Sequence, residues 1–320
     1  MASGLGPSAV RPRLVVSRCL DLDACRYDGA VVAAPFVRLL GEHAELVPVC
    51  PELAIGLGVP RDPIRIVVGG ERDDPAHRLV QPSTARDLTS EMVRFAADFG
   101  RGAGAIDGAI LKGRSPSCGR GDVKLYRAAA DEEPVGLGSG VFAAELAARL
   151  PGLPMVDEVA FDAPATREWF LTRVHALARL RAARAVGTRA ALTGLHAEHK
   201  LLLLAAREAA LRELGPLAAG AGREPLGETW DRYASRFAEA LATAPTSAGR
   251  ANALMHALGY FRERVDAGER RELAETLARH HRDGRALAAC AGELRAWIVR
   301  HGEPYLASQA LFWPYPDALR

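Results

Sequence analysis

No stretch of this chain is both long and uncharged enough to cross a bilayer, which excludes a membrane-spanning protein. Nothing at the start reads as a secretory leader either. Met1 to Val10 is short, small and polar, has no early basic residue, and runs at once into an Arg-flanked strand signal instead of an apolar core. Residues 1 to 10 are therefore expected to be a loose tail on a cytoplasmic protein. Cysteine is scarce: five in 320 residues, an odd number with no dense even pattern. That excludes a secreted disulfide framework and leaves metal binding or catalysis. No Cys-x-x-Cys pair occurs, so the close ligand pairs usual in structural zinc sites are missing. Regular internal repeats are missing too, which excludes a solenoid.

What is there begins with the placement of three of those cysteines. Cys19 ends Leu14-Val-Val-Ser-Arg-Cys, Cys50 ends Leu46-Val-Pro-Val-Cys, and Cys118 lies in Ile110-Leu-Lys-Gly-Arg-Ser-Pro-Ser-Cys-Gly119. Each follows an apolar run and sits in a turn rich in Gly, Pro or Ser, where an α/β sheet gathers its functional side chains. Thiols far apart in sequence can therefore meet in one pocket. Buried residues at strand ends are the plainer account of any one of them. Cys25, six residues after Cys19, can supply a fourth thiolate or merely stand near. Dispersed thiolates suit an iron–sulfur cluster better than a closed zinc site. Cys290, alone in an Ala-rich helical segment, reads as a small buried hydrophobe.

Up to about residue 160, short Val/Ile/Leu runs (13–17, 45–49, 64–68, 108–111 and 153–156) alternate with helical stretches (31–40, 84–99 and 141–150). This is the rhythm of an open, mostly parallel, Rossmann-like α/β sheet covered by helices. After Pro164 strand signals vanish. Ala/Leu/Arg/Glu segments at roughly 164–187, 189–214, 226–243, 248–265, 267–282 and 285–301 read as amphipathic helices. The expected organisation is a sheet domain over 11–160 and an all-α domain over 165–320, joined through Asp157 to Ala165. Charge divides along the same line: residues 1–160 hold 18 Lys/Arg against 21 Asp/Glu, and 161–320 hold 23 against 18 with seven of nine His. The basic second half is compatible with a polyanion such as RNA, or with arginines that solvate helix faces.

Longer motifs carry a resemblance. Val16-Ser-Arg-Cys-Leu20, Cys25-Arg-Tyr-Asp-Gly29, Val47-Pro-Val-Cys-Pro-Glu52, Leu111-Lys-Gly-Arg-Ser-Pro-Ser-Cys-Gly119 and Gly138-Ser-Gly-Val141 resemble, in order, the thiouracil desulfidase family over roughly residues 11 to 160. Asn252-Ala-Leu-Met-His-Ala-Leu-Gly-Tyr-Phe261, Tyr305-Leu-Ala-Ser-Gln309 and Pro314-Tyr-Pro316 resemble the YbgA-like helical domain. Proteins that fuse the two look like tRNA 4-thiouridine desulfidases. The resemblance implies a non-redox exchange of a pyrimidine sulfur for oxygen, with a [4Fe-4S] cluster held by Cys19, Cys50 and Cys118. Its unligated iron would bind the soft thiocarbonyl sulfur, after which water adds to the ring carbon.

On that resemblance, Glu52 is the expected acid/base, against a plain helix-first-turn carboxylate after Pro51. Ser115 is expected to orient the water or bond the pyrimidine; Ser117 competes with it, and either can instead satisfy turn amides. Lys112 is the candidate for holding an anion or stabilising negative charge on the ring, against a commonplace surface lysine at a strand end. In the loop after Cys25, Tyr27 can stack on a base and Arg26 can meet a carbonyl or phosphate, or Arg26 and Asp28 can pair within their own turn. Ser139, between two glycines, opens a helix whose free amides can face a phosphate or be capped by its own hydroxyl.

In the helical half, Asn252, His256 and Tyr260 share one helix face, read as an internal network in preference to a grip on RNA or a flipped nucleotide. His196, His199 and Lys200 form another mixed face with no third zinc ligand in view. The tail Phe312-Trp-Pro-Tyr-Pro316 is expected to pack back on the protein. Three functions follow: a desulfidase of thiouridine in tRNA, the same chemistry on free thiouracil or related pyrimidine thiones, or a non-enzymatic nucleic-acid module whose thiols bind zinc.

Overall fold

The computed structural model describes residues 6–7, 9–69, 77–220 and 225–320. The chain divides into two compact units, Arg11–Phe170 and Leu171–Arg320, the latter together with the N-terminal residues before Arg11. The division falls inside a helix, Pro164–Val186.

The first unit contains nine strands among its described residues: β1 Arg13–Ser17, β2 Glu45–Val49, β3 Arg65–Val67, β4 Arg78–Gln81, β5 Arg86–Asp87, β6 Gly108–Leu111, β7 Val123–Tyr126, β8 Gly136–Gly138 and β9 Met155–Asp157. β1 is central in the main sheet. Leu14, Val15 and Val16 are fully buried, as an unbroken β-branched and aliphatic run covered on both faces should be. β1 pairs in parallel with β2, Ser17 opposite Val49, and on its other side with β6; β6 continues in parallel to β9. The order is β2-β1-β6-β9.

This is the α/β architecture followed by helices that the sequence leads one to expect, with one addition. The run at 64–68 does not join the parallel sheet. It supplies β3 to a second, mixed sheet of order β5-β4-β3-β7-β8, whose other strands carry no clear sequence signal. Two helices also start later than their apolar patterns suggest. Helix α1 spans Pro35–His43, not 31–40, because Pro35 cannot donate an amide inside a helix and biases the residue before it away from α geometry. Helix α3 spans Thr89–Gly102, not 84–99: residues 86–87 pair with β4, and Asp87 Oδ1 accepts from both the amide and the hydroxyl of Thr89. Between them in chain order lies the short α2, Pro51–Ala54.

Helix α4, Val141–Arg149, packs beside α3 through Phe95, Phe99 and Phe142, whose ring centroids lie 5.5–5.9 Å apart. Its first amides have no partner inside the helix. They go to the loop that carries Cys118: Gly140 N donates to Gly119 O, Val141 N to Pro116 O and Ala143 N to Ser117 O, at 2.9–3.1 Å. Gly140 must be glycine for this contact, since a Cβ there would stand 2.5 Å from the backbone of Ser117. The expected phosphate cradle or hydroxyl cap at 138–140 is therefore replaced by a backbone clasp. Ser139 makes no cap bond and faces solvent.

In the second unit the described helices are Arg189–Ala206, Glu208–Ala219, Leu226–Ala240, Ser247–Leu258, Ala267–Arg279, Gly284–His301 and the short Pro304–Ala307. The expected helix over 189–214 is broken at Arg207, which is extended at φ −160°. Close by, Gly249 lets its helix approach until a Cβ would lie 2.2 Å from Ala205 O. The core joins Ala251, Leu254, Phe261, Leu294, Trp297 and Phe312, and Cys290 is buried in it as expected. The aromatic tail packs back, with Phe312, Trp313 and Tyr315 all buried. The end of the N-terminal tail is not loose: Gly6 N donates to Ala307 O at 2.6 Å and its Cα faces Trp313. Residues 1–5 and 8 lie outside the described residues.

Asn252, His256 and Tyr260 do share a face, but it is the exposed one, so they form no internal network. Ala253, Leu254, Ala257 and Leu258 take the core side of that helix and turn the polar stripe outward. Nor do His196, His199 and Lys200 form one site. Lys200 is exposed, His196 Nδ1 pairs with the Tyr233 hydroxyl at 3.1 Å, and His199 is fully buried with Nδ1 on Leu195 O at 2.9 Å.

Burial, with the Arg179 charge adding, pushes His199 down to about 3. An unfolded histidine takes its proton near 6.5. Between those values acid therefore favours the unfolded chain, and above them this group has no effect. His199→Leu is expected to flatten the loss of stability between about pH 6.5 and 4, read as the shift in denaturant midpoint at the two pH values; equal shifts in both proteins would refute the assignment.

Candidate active site

Parallel strands paired in register leave a sheet at one edge, and loops after β1, β2 and β6 meet there around a cavity of about 440 Å³. Its wall includes Cys19, Cys25, Cys50, Cys118, Glu52, Lys112 and Ser115. The thiols stand close enough to oppose one another's ionisation. Burial first, then the Cys50 charge, pushes Cys19 up to about 11. The same two causes push Cys25 up to about 12. Cys118, buried, is raised well above the ordinary thiol value by burial, although the Ser17 hydroxyl bonds to it. Lys112 works the other way and favours the Cys19 thiolate. Such a set gains most from a ligand that brings positive charge to the sulfurs. All five cysteines are free thiols.

Glu52 is in the first turn of α2, but its carboxylate turns into the site. Arg61 donates from Nε and Nη2 to Oε2 at 2.7 and 2.6 Å, and its side chain is only 4% exposed. The same guanidinium reaches Cys25 O at 3.1 Å and Gly58 O at 2.8 Å. Oε1 is left to the serines. Ser117 Oγ donates to it at 3.0 Å and Ser115 Oγ lies 3.5 Å away. The two serines then part: Ser115 lines the cavity, while Ser117, fully buried, stands behind Glu52 and does not. Ser115 Oγ also accepts the amides of Ser117 and Cys118 at 3.2 Å, fixing the turn that presents the thiol.

Lys112 is not a surface lysine; it is mostly buried and ion-paired to Glu158, which also accepts Gly113 N at 2.7 Å. Arg26 and Tyr27 line the cavity; Asp28 does not, its carboxylate being held by Arg26 at 3.1 Å and by Ala30 N. Arg26 also lies over the Tyr27 ring, 5.3 Å from its centre, and Tyr27 is 43% exposed. Ser139 does not line the cavity.

Sequence reasoning missed Arg61 and Glu158. Nothing in Gly58-Val-Pro-Arg-Asp-Pro63 marks Arg61 as a site residue. Glu158 had a signal, its place directly after the parallel strand β9, but Asp157 to Ala165 reads more readily as a domain joint. Among the described residues, no group of three His, Cys, Asp or Glu side chains is set to hold a single metal ion. One zinc would draw thiolates to about 3.8 Å of each other. Four soft thiols on one pocket wall, with no imidazole among them, fit the donor set of an iron–sulfur cluster, which Cys19, Cys50 and Cys118 would hold.

Comparison with known proteins bears on both units. The family described as 2-thiouracil desulfurase matches residues 14–158, and a family described as a protein of unknown function, DUF1722, matches residues 200–316. Escherichia coli (strain K12) YbgA is 30% identical over 154 residues, 47% of this chain and 91% of that protein. Bacillus subtilis (strain 168) YbbK is 36% identical over 137 residues, 42% of this chain and 88% of that protein. Among solved structures, the [4Fe-4S]-dependent thiouracil desulfidase TudS aligns at 26% identity and a TM-score of 0.39, over 49% of this chain and 98% of its own. A thiol-lined cavity within the matched span, and relatives covered almost end to end, place the chain in the 2-thiouracil desulfurase family, with a YbgA-like DUF1722 region following.

Proposed function

We propose that this chain is an iron–sulfur-dependent desulfidase that converts 4-thiouridine in tRNA to uridine and releases sulfide. The observation that carries the proposal is the convergence of Cys19, Cys50 and Cys118 on one cavity wall that also holds a carboxylate and a hydroxyl. When bound to those thiolates, a [4Fe-4S] cluster supplies an open iron, a Lewis acid matched to a soft sulfur. The chain's own residues do the rest. Glu52 Oε1 takes a proton from water, Ser115 orients that water, and Ser117 and Arg61 hold the carboxylate in position. The water oxygen bonds to the ring carbon, and the carbon–sulfur bond breaks with its electron pair leaving on sulfur. Water and thiocarbonyl become carbonyl and hydrogen sulfide, so no electron enters or leaves the system.

Tyr27 offers an exposed ring for the pyrimidine. Lys112, already paired with Glu158, is better suited to holding Cys19 as thiolate than to meeting the substrate ring. The basic helical half supports a tRNA substrate, and the exposed Asn252, His256 and Tyr260 stripe is available to it. Free thiouracil is the second reading, favoured by the family's description. A cytoplasmic location accords with tRNA as substrate.

Two outcomes test the proposal. Protein reconstituted without oxygen from iron and sulfide is expected to be brown and to release sulfide from thiolated tRNA faster than from free thiouracil. Cys118→Ala should lose both colour and turnover; a colourless active enzyme, or one zinc with no acid-labile sulfide, would overturn the cluster, and faster turnover of the free base would overturn the tRNA assignment. Glu52→Gln should keep the cluster's visible absorption while kcat falls by about 10²–10⁴-fold, the usual contribution of a positioned base; an undiminished kcat would remove Glu52 from the chemistry.

A further inference from the structure

Cys25 is the one thiol on the cavity wall that neither the cluster nor the desulfuration chemistry uses. It is not loosely held. The residue is 1% exposed, its amide donates to Asp23 O at 2.9 Å, and its carbonyl oxygen accepts Arg61 Nη2 at 3.1 Å. Cys50 stands directly against it. The Cys50 thiol donates to that same carbonyl oxygen at 3.7 Å, and the Cys25 thiol donates to the Cys50 sulfur. Cys50 in turn is fixed at the start of α2, where its carbonyl oxygen accepts Ala54 N at 3.0 Å. Two sulfurs from segments 25 positions apart are thus in contact, each on a backbone that is tied down.

Contact of this kind prepares a bond. Cysteines whose side chains point apart cannot be bridged without moving the backbone, whereas hydrogen-bonded thiols already face one another. Cys118, by contrast, gives its sulfur to the Ser17 hydroxyl. The cavity, about 440 Å³ and of a size to admit a small molecule, gives a peroxide access to the pair.

We infer that Cys25 and Cys50 form a reversible disulfide when a peroxide strips the cluster from the site, so that Cys25 guards a metal-holding sulfur against irreversible oxidation. The guarding role rests on the cluster of the desulfidase reading; the pairing itself does not. While Cys50 holds iron its sulfur is engaged. Once it is free, the peroxide O–O bond breaks as one sulfur becomes a sulfenic acid and one water leaves. The other thiol then bonds to that sulfur and displaces its oxygen as a second water. Two thiols and one peroxide give one disulfide and two waters, and the two electrons lost by sulfur are taken up by the peroxide oxygens. A sulfenic acid without a thiol beside it goes on to sulfinic acid, which thiol reductants do not reverse. The disulfide keeps Cys50 from metal until a thiol reductant returns both sulfurs.

Full-length protein reconstituted without oxygen would be treated with hydrogen peroxide until its visible absorption is lost. Its remaining thiols would then be alkylated and its peptides mapped by mass spectrometry without reduction. The expected result is a cross-linked peptide pair joining Cys25 to Cys50, with Cys19 and Cys118 alkylated, and loss of the link on adding dithiothreitol. Cys25→Ser should lose the link, carry Cys50 as sulfinic acid, and regain less absorption than the wild type after dithiothreitol, iron and sulfide. No link, a link between any other two cysteines, or equal sulfinic acid at Cys50 in both proteins would overturn the inference while leaving the desulfidase intact. If Cys25→Ser fails to fold, the map of the wild type decides alone. A wild type that takes up no cluster would sink the cluster reading, and peroxide treatment of its thiols would still decide whether Cys25 and Cys50 pair.

Discussion

Parallel pairing of β1 with β2 on one side and β6 on the other makes three remote segments leave the sheet at the same edge. Ser17 lies opposite Val49 in that register, so Cys19 and Cys50 follow neighbouring strand ends. Cys118 needs one more device, because its loop is longer. Ser17 Oγ accepts Lys112 N at 2.8 Å, pinning the start of that loop to the end of β1. The amides that open α4 then take three of its carbonyls. A sheet register, one hydroxyl and one helix end thus position sulfur atoms that no local motif brings together.

Electrostatics in the site follow from the same crowding. Four thiols and the Glu52 carboxylate line the cavity, Glu158 stands behind Lys112, and each carboxylate is matched by a cation: Glu52 by Arg61, Glu158 by Lys112. Removing one member of such a pair leaves an uncompensated charge, at a cost of about 3–5 kcal/mol. The pairs also divide labour. Arg61 occupies one oxygen of Glu52 and leaves the other beside two serines, while Glu158 binds the backbone of the Cys118 loop and the ammonium beside Cys19. Structure and chemistry are served by different atoms of the same side chains.

How much of this was legible in the sequence depends on whether a residue's role is local. Apolar runs flanked by small residues located β1, β2 and β6, and with them three thiols and Glu52; β1 and β6 are buried on both faces and show it in composition, while β2, at the sheet edge, is buried only at Val49. Pro35 set the start of α1 more sharply than periodicity did. The second sheet stayed hidden, since β5 has two residues and β8 is Gly-Leu-Gly, too short and too plain for any pattern. Arg61, and the division of roles between Ser115 and Ser117, were illegible for another reason. What makes Arg61 matter is a partner nine residues back, and Ser117 is set apart from Ser115 only by which way its turn points it. The outward stripe of Asn252, His256 and Tyr260 shows the same limit: spacing says which residues share a face, not what that face meets.

Drawing ligands from three crossovers has a topological effect. Cys19 and Cys50 are 31 positions apart and Cys50 and Cys118 are 68 apart. A prosthetic group gripped by all three would act as a staple closing two long loops, and cross-links over such lengths restrict the denatured ensemble by about 3–5 kcal/mol each on the chain-entropy account. Loss of the group would release that restraint at both loops together, so resistance to heat and proteases would report the health of the inorganic centre as directly as turnover does.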